Sequence, residues 1–247
     1  MKDYKLKIFC DFDGTITKND VWVNALGKFI EDEEQFSNLC YQFANLQITA
    51  KQCLLKELEL VKNFDFLKFN KYLDDEKFDE YFLDFLEYCR EKSFEIFVLS
   101  EGLDYYINYI LKKENLDLTV FSNKLTIVSD LNGNILSLGC EFHYSDEHCN
   151  WCGTSKRNIL MSNTNDLYGD ISVFIGDGIS DSCIVNYADI IFAKKNLASY
   201  CWKNNITYFE FSDFNDVIKK LDKLVSQVKI KQRQFSKSNR KDVLFGG

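Results

Sequence analysis

The chain lacks the marks of membrane proteins and of proteins that bind nucleic acids. None of its apolar runs approaches the roughly 18 residues that a membrane span needs, so we expect no membrane partner. It also lacks a basic excess, because 30 Lys and Arg are outnumbered by 38 Asp and Glu, giving a net charge of −8. This balance argues against nucleic acid as a partner. The first residues, Met1 to Lys5, are too polar for a secretion signal.

Proline is absent altogether, although about 5% is typical, and we attach no function to this absence. Cysteine is present in an odd number, nine, scattered along the chain. Most of these residues, including Cys10, Cys53, Cys89 and Cys183, lie in apolar surroundings, which favours buried free thiols over disulfides. Free thiols are typical of a reducing compartment, so we predict a cytoplasmic protein.

Length and apolar content predict a folded globule of one or two domains, since 46% of the 247 residues are hydrophobic. Five short apolar runs are separated by helical patterns and read as strands: Leu6–Cys10, Phe94–Leu99, Leu118–Phe121, Ile171–Ile175 and Asp189–Ala193. Such runs are typical of a parallel sheet that is buried on both faces. We therefore predict an α/β fold with a doubly wound, Rossmann-like parallel sheet, in which ligands bind beyond the carboxyl ends of the strands.

Helical patterns fill the intervals between these strands. An apolar stripe at helical spacing covers 78–92, and further core helices are predicted over 103–113, 155–162, 179–187, 197–204 and 213–228, with an edge strand over 206–211. The Asn132-Gly133 pair lies between apolar runs at 125–128 and 135–138, which predicts a β-hairpin.

The segment 18–77 is too long for an ordinary loop between the first strand and its helix. It is rich in helix formers, and we predict three or four amphipathic helices over 21–29, 33–46, 49–61 and 64–73. We interpret it as a small helical cap inserted into a core formed by 1–17 and 78–228. Residues 229–247 carry six basic residues and one acid without periodicity, which predicts a flexible, solvated tail.

The string Asp11-Phe12-Asp13-Gly14-Thr15 directly follows the first predicted strand. Two carboxylates at this spacing suit a nucleophile and a second group that shuttles a proton or helps to fix a metal through its backbone. We predict that Asp11 attacks phosphorus to form an aspartyl-phosphate. Asp13 then protonates the leaving oxygen and deprotonates the attacking water.

Three later positions supply partners for such a site. Ser100, after the second strand, is predicted to donate to a phosphoryl oxygen, and Lys156, at a helix start, to neutralise negative charge. Asp177 and Asp181 would complete an acidic pocket for Mg2+, a hard cation that prefers oxygen ligands. The predicted phosphate-binding set is Thr15, Ser100, Glu101, Gly102 and Lys156, and the predicted metal set is Asp11, Asp13, Asp177 and Asp181.

Each of these signals also has a purely structural interpretation. A Gly-rich turn with an aspartate helix cap, a serine cap and a solvated lysine are all common. Their order along the chain, each after a strand or at a helix start, favours one catalytic constellation instead.

The four motifs resemble those of the haloacid dehalogenase superfamily, which match Asp11/Asp13, Ser100, Lys156 and Asp177/Asp181. The resemblance implies a doubly wound parallel sheet, Mg2+ dependence and a helical cap after the first motif. An acid at Asp13 resembles the phosphatases of the superfamily. Three stretches, 9–17, 148–156 and 191–194, resemble the phosphoserine-phosphatase-like branch, and in particular its phosphatases of methionine salvage.

One position departs from that branch, whose members usually have two glycines after the motif serine. Here Glu101-Gly102 follows Ser100, and a carboxylate beside a phosphate pocket would repel substrate unless it points away.

A second cluster holds both histidines of the chain within 13 residues: Cys140, His143, His148, Cys149 and Cys152. Its spacing matches no standard zinc finger, so a thiol pair, structural zinc and redox chemistry all stay open.

We predict that the cap recognises the substrate. Asp20 either faces the pocket and favours a cationic or hydroxylated substrate, or it caps the helix that begins near Val21.

The leading hypothesis is a Mg2+-dependent phosphomonoesterase for a small phosphorylated metabolite, with phosphoserine, phosphocholine or phosphoethanolamine as alternative substrates. The competing hypotheses are a phosphate-binding regulatory protein impaired by Glu101 and a zinc-stabilised interaction module. Oligomeric state is not predicted.

Overall fold

The computed structural model describes residues 5–145, 147–149, 151–226 and 230–244. The chain divides into two compact units. The first contains the described parts of Met1–Lys18, Phe78–Leu99 and Lys156–Gly247, and the second those of Asn19–Lys77 and Ser100–Ser155. Residues 100–155, which the sequence analysis places in the core, thus belong to the second unit. The reason is tertiary packing within that unit, for example the bond from Ala50 N to Trp151 O at 3.1 Å.

Seven strands occur in the described residues: β1 (Lys5–Cys10), β2 (Glu95–Leu103), β3 (Thr119–Ser129), β4 (Ile135–Glu141), β5 (Asp170–Gly176), β6 (Ile190–Ala193) and β7 (Phe209–Glu210). The same residues form ten α-helices: α1 (Val21–Ala25), α2 (Glu33–Ala44), α3 (Ala50–Leu60), α4 (Phe66–Asp75), α5 (Phe82–Lys92), α6 (Asp104–Lys113), α7 (Lys156–Ser162), α8 (Lys195–Lys203), α9 (Phe214–Val225) and α10 (Gln234–Leu244). Among them, no helix has the length and apolar character to cross a membrane.

The first unit is built on parallel strands in the order β2-β1-β5-β6-β7. The prediction of an α/β fold with a parallel sheet is confirmed. Every residue of β5 and β6 is buried, which explains why both strands are predominantly apolar in sequence. In register, Cys10 lies beside Ile175, and Gly176 beside Ala193. The residues that follow β1, β5 and β6 therefore emerge together at the carboxyl edge of the sheet.

Two helices of the first unit, α5 and α9, pack against each other through aromatic rings. The ring of Phe214 on α9 lies 4.8 Å from that of Phe85 and 5.1 Å from that of Phe82, both on α5. The helix predicted over 179–187 is wrong in type, because only a short 3-10 helix forms over Ile179–Cys183. This tight turn places Asp181 in the interior.

The chain end differs from its prediction. Residues 234–244 form α10 rather than a solvated tail, and the guanidinium of Arg240 is buried. It pairs with Asp166 at 2.6 Å and Asp189 at 3.3 Å, and Ser236 donates to Asp189 at 2.6 Å. Polar bonds between residues distant in sequence, rather than an apolar stripe, hold this helix. The prediction for residues 227–229 and 245–247 lies outside the described residues.

The second unit begins with the four predicted helices, the first of which continues as a short 3-10 helix over Leu26–Phe29. Side chains at their N-termini cap them, and Thr49 forms a capping box with Gln52. Helix α6 lies against α4, where Tyr105 donates to Asn70 at 2.9 Å. The β3–β4 hairpin is also present, but 119–129 is one continuous strand rather than the separate strands predicted over 118–121 and 125–128. Gly133, with φ of 84°, supplies the left-handed turn residue.

Glu57 on α3 is a buried carboxylate within the second unit. Trp22 Nε1 donates to it at 2.8 Å, and the thiols of Cys53 and Cys40 lie 3.4 and 3.6 Å from its Oε1. Burial raises the pKa of Glu57 to about 7, and nearby Asp20 acts in the same direction. The folded chain therefore takes up a proton here that the unfolded chain, with an ordinary glutamate pKa, has released.

We expect Glu57 to make the second unit less stable as pH rises. The stabilisation from proton uptake is fully present below the ordinary pKa and is lost as pH passes through about 7. The free energy of unfolding should fall by about 2–3 kcal/mol from this group between pH 5 and 8.5. Urea denaturation of Glu57→Gln should show a flatter pH profile. Glu59→Gln, an exposed change on the same helix, is the matched control and should keep the wild-type slope.

Candidate active site

The backbone after β1 turns sharply to expose the acidic motif. Asp11 N donates to Ile175 O at 2.9 Å, which extends the ladder by one residue, and the chain then bends at Gly14, where φ is 72°. Thr17 closes the turn, because its Oγ1 accepts from Gly14 N and donates to Phe12 O, both at 3.1 Å. A Cβ atom at position 14 would lie 2.6 Å from Asp177 Oδ2, so glycine is required here for space and for conformation.

Lys156 is the centre of the site. Its Nζ lies 2.6 Å from Asp11 Oδ1 and 2.6 Å from Asp181 Oδ1. The lysine and Asp181 are 0% exposed and Asp11 is 5% exposed. Asp11 follows β1, Asp181 follows β5, and Lys156 begins α7, so three separated segments of the first unit meet at one point. The sequence analysis predicted the chemistry of these three residues, and the structure brings them together.

The electrostatics of this group are unbalanced. Burial raises the pKa of Asp11 well above its usual range, and the neighbouring carboxylate of Asp181 raises it further, while Lys156 opposes both. Burial also raises the pKa of Asp181 against the same ammonium. A single buried cation thus faces more negative charge than it neutralises.

Asp177 adds a third carboxylate to the group. Its Oδ2 lies 2.8 Å from Nζ of Lys195, which also approaches Gly14 O at 3.4 Å. Sequence reasoning missed Lys195. It comes directly after β6 and Lys194, so its position at the same strand edge was the available signal. Its side chain is more than half exposed, so it screens Asp177 from solvent only in part.

The three carboxylates form a set that suits a divalent cation. One oxygen from each of Asp11, Asp177 and Asp181 lies within 4.8 Å of the other two. Converging, largely buried oxygens with incompletely neutralised charge are the ligands that Mg2+ prefers. The side chain of Asp13 is not in this group of carboxylates, and a contribution of Asp13 to the metal through its backbone stays a prediction. Asp13 is partly exposed at the bend of the loop.

Thr15 is buried in the same loop, and its Oγ1 has no hydrogen-bond partner among the described residues. A buried hydroxyl without a partner is costly unless a ligand or water satisfies it. This is the behaviour expected of a group that meets a phosphate oxygen, as predicted for Thr15.

Ser100, Glu101 and Gly102 belong to the second unit. Ser100 is buried within β2, which continues past it to Leu103, and its Oγ accepts from Gly102 N at 2.9 Å. The carboxylate of Glu101 accepts from Gly153 N at 2.7 Å and Thr154 N at 3.3 Å. Backbone amides thus engage the negative charge of Glu101, and its assignment to the phosphate-binding set stays a prediction. The roles of Ser100 and Gly102 stay predictions.

The remaining candidates have structural contacts. Asp20 caps α1, accepting from Val23 N at 3.1 Å, which matches the second of its two predicted roles. His143 pairs with Glu141 at 3.1 Å. Within the described residues, no three of the cysteine–histidine cluster bring ligand atoms within 4.8 Å of one another: Cys140, His143, His148, Cys149 and Cys152. None of the nine cysteines, all of which lie in the described ranges, is joined in a disulfide.

We expect Mg2+ to stabilise the folded chain through Asp177. At a concentration 100 times its Kd, a ligand adds about 2.7 kcal/mol, which corresponds to a rise in Tm of roughly 5–10 °C for a chain of this size. Differential scanning fluorimetry with and without Mg2+ measures the shift. Asp177→Asn should lose most of it, whereas Asp84→Asn, an exposed change on α5, should keep it. An undiminished shift in Asp177→Asn would remove this residue from the metal set.

The sequence was compared with known proteins. The family model described as haloacid dehalogenase-like hydrolase matches residues 8–184. A 2-hydroxy-3-keto-5-methylthiopentenyl-1-phosphate phosphatase of Brevibacillus brevis (strain 47) is 30% identical over 232 residues, covering 91% of this chain and 98% of the relative. The phosphatase of the same name from Bacillus cereus (strain B4264) is 29% identical over 229 residues, covering 91% and 99%.

Solved structures agree in fold. A phospho-aspartyl intermediate analogue of phosphoserine phosphatase aligns with a TM-score of 0.68 at 21% identity, covering 88% of this chain and 99% of the other. A substrate-bound phosphoserine phosphatase gives a TM-score of 0.68 at 20% identity, covering 87% and 98%. With the family match spanning the aspartate, lysine and Asp177–Asp181 segments of the site, the chain belongs to the haloacid dehalogenase-like hydrolases.

Proposed function

We propose that the chain is a Mg2+-dependent phosphomonoesterase that hydrolyses a small phosphorylated metabolite through an aspartyl-phosphate intermediate. One observation carries the proposal: the buried ammonium of Lys156 lies 2.6 Å from both Asp11 and Asp181. A solvated lysine or a simple helix cap would not be buried between two carboxylates. This arrangement fixes one oxygen of Asp11 and leaves the carboxylate a defined orientation for attack.

The chemistry assigned to the chain's residues has two displacements. In the first, an oxygen of Asp11 bonds to phosphorus, the bond from phosphorus to the leaving oxygen breaks, and Asp13 gives its proton to that oxygen. In the second, water attacks the aspartyl-phosphate, gives a proton to Asp13 and releases inorganic phosphate and the carboxylate of Asp11. The partial exposure of Asp13 suits a group that exchanges protons with a leaving group and with water.

The carboxylates assigned to the metal are those of Asp11, Asp177 and Asp181, and Asp13 is assigned to it through its backbone. When bound, Mg2+ supplies the positive charge that allows an anionic carboxylate to approach an anionic phosphate. Lys156 adds charge at the same place, and Thr15 and Ser100 are assigned to phosphoryl oxygens.

The substrate we favour is 2-hydroxy-3-keto-5-methylthiopentenyl-1-phosphate, the compound in the name of the relatives that cover about nine tenths of the chain. The test is phosphate release from this compound, phosphoserine, phosphocholine, pyridoxal phosphate and p-nitrophenyl phosphate, each with Mg2+ and with EDTA. We expect one metabolite to exceed p-nitrophenyl phosphate in kcat/KM, and EDTA to abolish release. No Mg2+-dependent release from any of the five would contradict the proposed function.

A further inference from the structure

Glu101 holds a loop of the second unit by its carboxylate. One oxygen accepts from Gly153 N at 2.7 Å and the other from Thr154 N at 3.3 Å. Charge-assisted bonds from a carboxylate to backbone amides are about twice as strong as neutral ones. The two amides belong to consecutive residues, so the carboxylate fixes the orientation of that peptide as well as its position.

One further bond joins β2 to the same loop, and another joins Glu101 to β3. Thr154 Oγ1 donates to Ser100 O at 2.6 Å, and Asn123 Nδ2 donates to Glu101 O at 2.6 Å. Ser155 Oγ donates to Cys149 O at 2.9 Å, which braces the loop internally. Ser100 and Glu101 of β2 are thus bonded to residues 153 and 154, and the backbone of Glu101 is also bonded to β3.

The contact with Glu101 requires a residue without a side chain at position 153. A Cβ atom there would lie 2.4 Å from the ring of Phe142 and 2.7 Å from Asn123 Oδ1. Only glycine lets the peptide approach Glu101 so closely. The loop then leads through Ser155, in a left-handed conformation with φ of 46°, directly into Lys156, the first residue of α7.

We propose that Glu101 is a positioning residue that sets the start of α7 and thereby the placement of the Lys156 ammonium. The inference rests on the proposed function, in which Lys156 orients Asp11 and neutralises phosphate. It reverses the expectation that a carboxylate after Ser100 impairs the enzyme by repelling substrate. The two ideas predict opposite changes in turnover. Removing a positioning residue should slow turnover, whereas removing a repelling charge should speed it.

The experiment compares Glu101→Ala and Glu101→Gln with wild type and with Glu114→Ala, an exposed change in the same unit. Turnover of p-nitrophenyl phosphate gives kcat and KM at saturating Mg2+. Hydrogen–deuterium exchange followed by mass spectrometry reports the amides of 149–156, and the Mg2+-induced rise in Tm reports the carboxylates of the first unit. The last two readouts need no activity.

We expect Glu101→Ala to lower kcat by roughly 10- to 100-fold, the size of effect that a misplacement of about 1 Å produces. KM should change less than about threefold, because Lys156 acts on the reacting atoms. Glu101→Gln keeps one acceptor oxygen and should recover part of kcat. Exchange of 149–156 should accelerate in Glu101→Ala, while the Mg2+ shift stays at the wild-type value.

Two results would overturn the inference: a kcat in Glu101→Ala equal to or above wild type, or unchanged exchange at 149–156. A general loss of folding would instead reduce the Mg2+ shift together with kcat, and Glu101→Gln would show no recovery; that pattern also contradicts a positioning role. An inactive wild type would refute the proposed function, and the exchange measurement would still decide whether Glu101 fixes the loop.

Discussion

Asp11→Asn should abolish turnover while leaving the chain folded. The amide is isosteric with the carboxylate and still offers Lys156 an acceptor oxygen, but it does not attack phosphorus. Loss of a nucleophile costs about 10^4-fold or more in kcat. Release of phosphate from p-nitrophenyl phosphate measures the loss. In wild type, acid-quenched enzyme should carry one added phosphate on the peptide that contains Asp11 by mass spectrometry, and the variant should carry none.

Stability distinguishes this effect from misfolding. Burial and the charge of Asp181 raise the pKa of Asp11, so ionised Asp11 is unfavourable in the folded chain without a metal. A neutral amide removes that repulsion, and Tm without Mg2+ should stay within about 2 °C of wild type or rise. Asp84→Asn is the exposed control and should keep full turnover. Residual turnover above roughly 1% of wild type in Asp11→Asn would assign the nucleophile elsewhere.

The centre of the site was predictable because it depends on local rules. Apolar runs ending in polar residues mark parallel strands, and their carboxyl ends meet at one edge. That rule alone places the residues after β1 and β5 together, so Asp11 and Asp181 were expected to converge. Lys156 was expected from its place at a helix start. The distances among them, and the exclusion of Asp13 from the carboxylate group, depend on the bend at Gly14 and were not readable from spacing.

What the sequence did not predict depends on polar pairs between distant positions. Helix α10 has no strong apolar stripe, and it is held by Arg240 with Asp166 and Asp189. A high content of charged residues predicts that such a segment is exposed to solvent, because the sequence does not distinguish a buried arginine from an exposed one. The partners of Glu101 were not predictable for the same reason, because they are amides more than fifty residues away.

Lys156→Met should have the largest combined effect on activity and stability. Methionine matches the length of the lysine stem but leaves Asp11 and Asp181 buried without their shared cation. Removing one partner of a buried ion pair costs about 3–5 kcal/mol, because the remaining charge is uncompensated. Turnover should fall together with stability, since the carboxylate of Asp11 loses its orientation. Guanidinium denaturation without Mg2+ measures the first effect, and phosphate release at saturating Mg2+ measures the second.

A double variant distinguishes two causes of the instability of Lys156→Met, uncompensated buried charge and lost packing. If uncompensated carboxylates cause the instability, Lys156→Met with Asp181→Asn should regain at least about 1–2 kcal/mol over Lys156→Met alone, because one buried charge has been removed. If lost packing causes it, the second change should add further damage. Lys203→Met, an exposed change at the end of α8, is the matched control and should leave both measurements unchanged. A stable, active Lys156→Met would mean that the ammonium between Asp11 and Asp181 neither holds the site together nor serves the reaction.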